Sequence, residues 1–203
     1  MNNKPVSLIE ENCHFFLQKL RISTQPMHKK LEESRLSVNL MKCDISLAEY
    51  AEYLAHMKNV ISYHEYFTFP VVEYMFPNIH ARHRLLLINH DIEWLQQSST
   101  INPYNVYEIN TSMPLNVPRA LGYMYVIEGS TLGGQMILKH IKMVLGFDEH
   151  KGALFFGGYG NETGKRWKEF LDIFAKYAVA ECCEDEIISG AIDAFKSIQT
   201  HFA

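Results

Sequence analysis

Apolar residues recur along most of the chain at intervals of three and four, which is the spacing of one face of an α-helix. The first such stretch follows Ser7 and Glu10, whose order is typical of a capping box at a helix start. Residues 23–35 also have a helical pattern, with Pro26 at a first turn or at a kink. Alternation of the kind that strands require is scarce. The pattern therefore favours an all-α protein from its first elements onward.

Later segments extend this picture. Ser46 and Glu49 form a second capping-box pattern, and we predict that they open a long helix that Pro70 breaks or bends. The remaining predicted elements are helices at 79–97, 118–145, 163–179 and 184–202, with loops at 98–117 and 157–160. The sequence thus predicts six to eight helices in a single domain covering residues 1–203.

Composition excludes several classes of protein. The net charge of −4 argues against a general nucleic-acid binder, which needs an excess of basic residues. No apolar run approaches the roughly 20 residues that span a bilayer, and no segment has the pattern of a secretory signal. The cysteines form no CxxC pair, so we expect buried thiols in a reducing cytoplasm. These cysteines are Cys13, Cys43, Cys182 and Cys183.

His28 is a candidate iron ligand. On a continuous helix it shares one face with Arg21, Thr24 and Glu32, because spacings of four and seven return to the same face. A neutral imidazole binds heme iron well, and a carboxylate one turn away can hold its other N–H. Arg21 could pair with a heme propionate. The chain has ten histidines, however, and most helical histidines ligate nothing.

A second unusual feature is a helical segment that contains three glycines within six residues, Gly129, Gly133 and Gly134. Each glycine inside a helix costs about 1 kcal/mol relative to alanine. Glycine lets a backbone lie against a flat ligand and lets a helix bend. A packing notch for another helix explains the pair Gly129 and Gly133 slightly better than a ligand does on these grounds alone, and both interpretations stay open.

Basic residues crowd the start of the predicted helix at 163–179, where Lys165, Arg166 and Lys168 fall in the first turns. Cations are disfavoured there because the helix N-terminus is already positive, unless an anion docks nearby. A solvated surface is the alternative, both for this group and for the basic residues at 139–142.

Taken together, these segments resemble the heme oxygenase family, and in particular its bacterial biliverdin-producing branch. The resemblance covers nearly the whole chain in matching order and spacing. It rests on Leu20-Arg21, Thr24, His28 and Leu31-Glu32; on Ala120-Leu121-Gly122-Tyr123 and Glu128-Gly129-Ser130-Thr131-Leu132-Gly133-Gly134-Gln135; and on Gly164, Trp167-Lys168, Phe170 and Asp193-Ala194-Phe195.

The resemblance implies an all-α, heme-oxygenase-like bundle with a kinked distal helix, and a role for each matching residue. His28 matches the proximal iron ligand, and Gly129 and Gly133 match distal glycines whose backbone overhangs the heme. Ser130 stands where animal enzymes of the family carry an aspartate that organises water. The resemblance therefore does not identify the residues that deliver protons. Heme-contacting residues are expected at Arg21, Thr24, Glu32, Gly134 and Lys168, with Arg21 and Lys168 at the propionates.

The activity implied is cleavage of heme with O2 and external electrons to biliverdin, CO and Fe2+. The sequence shows no flavin or nicotinamide fingerprint, so we expect a separate donor such as a ferredoxin or a flavin reductase. A heme-storage or heme-sensing protein of the same fold is the main alternative. A di-iron bundle needs two ExxH motifs, and Glu11–His14 is the one such spacing in the sequence. A heme-free helical protein is the third alternative.

Overall fold

The computed structural model describes residues 8–98 and 115–202, and within them it is built from helices without a named strand. The α-helices are α1 (Leu8–Glu32), α2 (Arg35–Leu40), α3 (Leu47–Tyr63), α4 (Phe69–Val72), α5 (Leu85–Ser98), α6 (Val117–Leu145), α7 (Leu154–Gly157), α8 (Thr163–Ala180) and α9 (Glu184–Phe202). The all-α prediction is confirmed. The capping box expected at Ser7 and most of the loop expected at 98–117 lie outside the described residues.

Helix α1 runs without interruption through Pro26, so the two helical stretches expected near the N-terminus form one helix of 25 residues. The capping box at the start of α3 is present as predicted. Ser46 accepts a hydrogen bond from the Glu49 backbone N–H, and the Glu49 carboxylate accepts one from the Ser46 N–H. Local sequence therefore sets this helix start correctly.

Pro70 lies in the short helix α4, which a π-helical turn at His64–Thr68 joins to α3. Two 3-10 turns, Glu73–Met75 and Ile79–Arg82, follow before α5 begins at Leu85. The helix expected at 79–97 is therefore shorter than predicted. The buried Glu65 carboxylate accepts hydrogen bonds from the backbone N–H groups of Arg84 and Leu85, at 2.5 and 2.7 Å, and this long-range cap sets the start of α5.

The core helices α1, α6 and α9 run in the same direction. On α1, Lys19 pairs with Asp185 near the start of α9, whereas His28 contacts Phe195 further along α9. At the N-cap of α6, Asn116 donates a hydrogen bond to Glu186 near the start of α9. Further along α6, Tyr123 and Ile127 line a pocket together with Ala194 of α9, which is next to the residue that His28 contacts. Because both helices run parallel to α9, positions along α1 can be compared with positions along α6.

Helix α6 packs closely against α9 through two glycines. A Cβ built on Gly122 would lie 2.3 Å from the Ile187 carbonyl oxygen, and one on Gly190 would lie 2.5 Å from the Arg119 carbonyl oxygen. No side chain fits at either contact. The packing notch of this helix is therefore at Gly122.

The cysteines correct one expectation. Cys43 and Cys182 are exposed, and Cys13 and Cys183 are partly buried, so the prediction of buried thiols is wrong. Cys43, Cys182 and Cys183 lie in connections between helices, which composition alone does not reveal. No helix in the described parts of the chain is long and apolar enough to cross a membrane.

Candidate functional site

The candidate site is the space between α1 and α6, the two helices that carry most of the predicted site residues. They approach each other where the hydroxyl groups of Thr24 and Tyr125 lie close together, with Thr24 buried and Tyr125 half-buried. His28 lies one turn beyond Thr24, and Gly129 lies one turn beyond Tyr125. Because α1 and α6 run in the same direction, we expect the two residues at similar levels along the two helices. The predicted ligand is then expected to face the predicted glycine segment of α6.

The His28 side chain is available to a ligand, with 62% of its surface exposed. Its Nδ1 atom lies 3.5 Å from the Glu32 Oε1 atom, one turn along α1. Its ring meets that of Phe195 edge-on, with the ring centres 5.8 Å apart. A carboxylate on one ring nitrogen fixes the tautomer and leaves the other nitrogen to bind a metal.

The glycines of α6 have three different surroundings. A Cβ built on Gly133 would meet nothing within 4 Å, and one on Gly129 would contact only the Trp167 side chain, at 3.5 Å. A Cβ on Gly134 would lie 3.3 Å from the Phe156 carbonyl oxygen, so packing accounts for this glycine. No packed neighbour explains Gly133, and α6 is helical through all three positions. The bend expected here stays a prediction.

Apolar side chains surround this bare stretch of backbone. Leu132 and Met136 on α6 are 43% and 69% exposed. Trp167 on α8 stacks on Phe170 and lies 5.6 Å from Tyr125, measured between ring centres. An exposed backbone between large apolar groups makes a surface for a flat, apolar ligand.

The predicted cations differ in their partners. Arg21 and Lys168 are exposed, and neither forms an ion pair within the described parts of the chain. Lys165 pairs with Glu162, and Arg166 donates to the Ala81 carbonyl while its guanidinium lies over Tyr159. Arg21 and Lys168 therefore remain able to meet an anionic ligand.

Two hydroxyl groups expected at the site are already hydrogen-bonded within their own helices. Thr24 is 4% exposed and donates to the Leu20 carbonyl at 2.9 Å. Ser130 is exposed and donates to the Ile127 carbonyl at 2.7 Å. In this geometry Thr24 serves the contact between helices, and Ser130 is the polar group on the open side of α6.

A buried ionic cluster lies behind the glycine segment, and the sequence analysis missed it. Glu128, which is 1% exposed, accepts hydrogen bonds from Arg82 and from the Tyr159 hydroxyl. Burial, and next the Glu128 charge, raise the pKa of Tyr159. A glutamate inside an apolar helix was the available signal, but its partners are 46 and 31 residues away. The cluster anchors α6 at the residue next to Gly129.

These residues fit an iron macrocycle better than a bare metal ion. Within the described ranges no three acidic, histidine or cysteine residues gather as metal ligands. An accessible histidine, an exposed helix face with glycines and apolar side chains, and two cations without acidic partners suit a planar ring that brings its own nitrogen donors and carboxylates. The di-iron alternative finds no support in this geometry.

Comparisons with known proteins agree with this class. A family model described as heme oxygenase matches residues 14–203. The chain belongs to the heme oxygenase family. No curated protein sequence matches it.

Several solved heme oxygenases share the fold. One from Neisseria meningitidis, bound to NO and CO, is 20% identical, with a TM-score of 0.68 over 92% of this chain and 89% of that one. One from Leptospira interrogans is 18% identical, with a TM-score of 0.70 over 92% and 98%. One from the cyanobacterium Synechocystis, in complex with heme, is 15% identical, with a TM-score of 0.71 over 92% and 90%.

Proposed function

We propose that this protein binds heme in the cleft between α1 and α6 and degrades it with O2 and external electrons to biliverdin, CO and Fe2+. The observation that carries the proposal is the exposed His28 ring, which has Glu32 at its Nδ1 atom, on a helix whose Thr24 lies close to Tyr125 of the glycine-containing helix α6. Family membership supports heme as the substrate, and the unexplained glycine at 133 supports a ligand lying against α6.

His28 would bind the iron through its free ring nitrogen, with Glu32 orienting the imidazole. Gly129 and Gly133 would let the α6 backbone lie over the opposite face of the ring, so that no side chain blocks the iron. Arg21 and Lys168 would hold the propionates by charge. Trp167 and Phe195 would exclude water from the ring edges, because both are large aromatic groups at the cleft.

The ring itself supplies the oxidation chemistry once bound, while the protein supplies ligation, orientation and protons. The electrons come from a separate ferredoxin or flavin reductase in this proposal. Glu128 and its partners would keep α6 at a constant height over the ring, since their hydrogen bonds end at the residue before Gly129.

A heme titration with His28 variants tests this proposal. Wild-type protein should bind about one equivalent of hemin, and His28→Ala should lose the bound heme or change its spectrum. His14 provides a matched control, because it is exposed on the same helix and His14→Ala should bind heme normally. Free imidazole should restore the wild-type spectrum of His28→Gly.

Turnover separates degradation from storage or sensing. With a reductant and O2, the Soret band of bound heme should fall as a biliverdin band appears. Heme that stays bound without any bilin product would refute the oxygenase proposal and favour the storage alternative. A wild-type protein that binds no hemin would favour the heme-free alternative.

A further inference from the structure

The turn of α1 that carries His28 directly follows a proline inside the helix. Pro26 has no backbone N–H, so the Ile22 carbonyl lacks the hydrogen bond that residue 26 would donate in an uninterrupted helix. An interior proline also crowds the preceding turn and commonly bends a helix. Beyond Pro26 the helix continues only through residues 27–32. This last turn therefore gains less support from its own helix than an ordinary helical turn does.

Helix α9 supplies a hydrogen bond to this turn from the other end of the chain. The Gln199 Nε2 atom donates to the Met27 carbonyl oxygen at 2.9 Å, in a partly buried contact. Met27 immediately precedes His28, so its carbonyl is part of the backbone from which the imidazole projects. A backbone carbonyl has two lone pairs and can accept this bond in addition to one within the helix.

A second contact from the same side of α9 reaches the His28 ring. Phe195 lies one turn before Gln199, which places both side chains on one face of α9. The Phe195 ring is 5% exposed and meets the His28 ring edge-on, with the ring centres 5.8 Å apart. Met27 and Leu31 are partly buried against the same core. Phe195 thus contacts the imidazole by packing, whereas Gln199 is the polar contact that holds its backbone.

We propose that Gln199 is a positioning residue for heme ligation, which holds the His28 turn of α1 in place where Pro26 has weakened the helix. The inference rests on the proposed function, because the position of this turn matters to the chemistry only if His28 binds the iron. A metal ligand must be held within about 0.5 Å of its productive position by packing and by hydrogen bonds from surrounding residues. Gln199 acts through the Met27 carbonyl, while Glu32 orients the ring itself.

Two substitutions of similar length separate the hydrogen bond from the packing. Gln199→Met keeps an unbranched side chain and removes the donor. Gln199→Glu keeps the shape but places a carboxylate, which accepts hydrogen bonds and cannot donate them, beside the Met27 carbonyl. The disturbance of the His28 turn should therefore grow from wild type to Gln199→Met to Gln199→Glu. A role in packing alone predicts no such order. Gln18→Met is the matched control, because Gln18 is exposed on α1 far from this turn.

Amide hydrogen exchange in the heme-free protein tests the Gln199 contact by itself. In Gln199→Met, the backbone N–H groups of residues 28–32 should exchange about three- to tenfold faster than in wild type, which is the effect of losing one ordinary hydrogen bond. Residues 12–20 of the same helix should keep their rates, and Gln18→Met should leave residues 28–32 unchanged. Unchanged exchange at residues 28–32 in Gln199→Met would overturn the inference, whether or not the protein binds heme.

The variant Pro26→Ala tests whether the proline creates the need for this contact. Alanine restores an N–H for the Ile22 carbonyl, and Pro26 is exposed, so the change disturbs little packing. In the Pro26→Ala background, Gln199→Met should change exchange at residues 28–32 by less than about twofold, because the two sites are coupled. An equal effect in both backgrounds would contradict the proposal.

The heme-bound protein provides a second readout. Resonance Raman spectra of the ferrous protein report the stretching band of the iron–histidine bond, which His28→Ala should abolish. In Gln199→Met this band should shift or broaden, and hemin should leave about three- to tenfold faster than from wild type. An identical band and an identical rate of hemin loss would overturn the inference. Wild-type protein without the band would instead refute ligation by His28, so the two failures can be told apart.

Discussion

Replacing Gly133 with alanine should stabilise the heme-free protein and weaken heme binding at the same time. The residue lies inside α6 and is exposed, and a Cβ built there meets nothing within 4 Å. The backbone is helical, so no left-handed conformation requires glycine. Nothing in the described structure needs a glycine here, and a ligand against the backbone does.

The size of the stability gain follows from helix propensity. Alanine is more favourable than glycine in a helix interior by about 1 kcal/mol, and no contact is lost. For a chain of this length, about 1 kcal/mol raises the melting temperature by about 2–4 °C. The cost falls on binding, because the new methyl group occupies the space next to the proposed ring. We expect at least about tenfold weaker heme binding, or about 1.4 kcal/mol.

The assay pairs thermal unfolding of the heme-free protein with a hemin titration. Gly122→Ala is the control for a glycine that packing does require, because its Cβ would overlap backbone atoms of Ile187 and Ala191. This variant should lose at least about 1–3 kcal/mol of stability, as overpacked cores typically do. A Gly133→Ala protein that is less stable without heme, or that binds heme and turns it over normally, would refute the proposal that Gly133 makes room for heme against α6.

Three further predictions concern the buried polar groups. Asp91→Ala should cost about 2–4 kcal/mol of unfolding free energy in urea titrations, because the carboxylate is the acceptor for the partly buried Leu154 N–H and the buried Phe155 N–H; a loss below about 0.5 kcal/mol would contradict this. Glu128→Ala should cost about 3–5 kcal/mol of unfolding free energy, because it leaves the buried Arg82 guanidinium without its carboxylate partner. Wild-type stability in this variant would contradict the role of the ionic cluster. His64 has a lowered pKa in the folded protein, so below its ordinary value of 6.5 the unfolded chain takes up the proton first. The unfolding free energy should therefore fall as the pH drops from about 7 to 5. His64→Leu should flatten that slope without abolishing it, since two further histidines have lowered pKa values. An unchanged slope would contradict the buried, neutral state of His64.

Helix positions were predictable wherever the signal was local. The spacing of apolar residues and the Ser46–Glu49 capping box gave α3 its start, and α6, α8 and α9 begin and end within about two residues of their predicted limits. The start of α5 was not predictable in this way, because the Glu65 carboxylate that caps it lies about twenty residues earlier. No window of neighbouring residues contains that pairing.

The candidate site residues also differ in whether local sequence could predict them. His28, Glu32 and Arg21 could be named together, since they follow from the repeat of one helix. Gly129, Gly133 and Gly134 could be named as unusual, but their reasons could not be separated. The structure assigns Gly134 to packing against Phe156, and it leaves Gly133 open.

By itself, the sequence determined which segments are helical, which faces of them are apolar, and which family the chain resembles. These properties depend on periodicity and local hydrogen bonding, which are written in consecutive residues. Only the tertiary structure decided that α1 and α6 run in the same direction alongside α9. It alone joined Glu128 to Arg82 and left the nitrogens of His64 facing a pocket. Such contacts connect residues far apart in the chain, and their energies depend on burial that exists only after the helices pack.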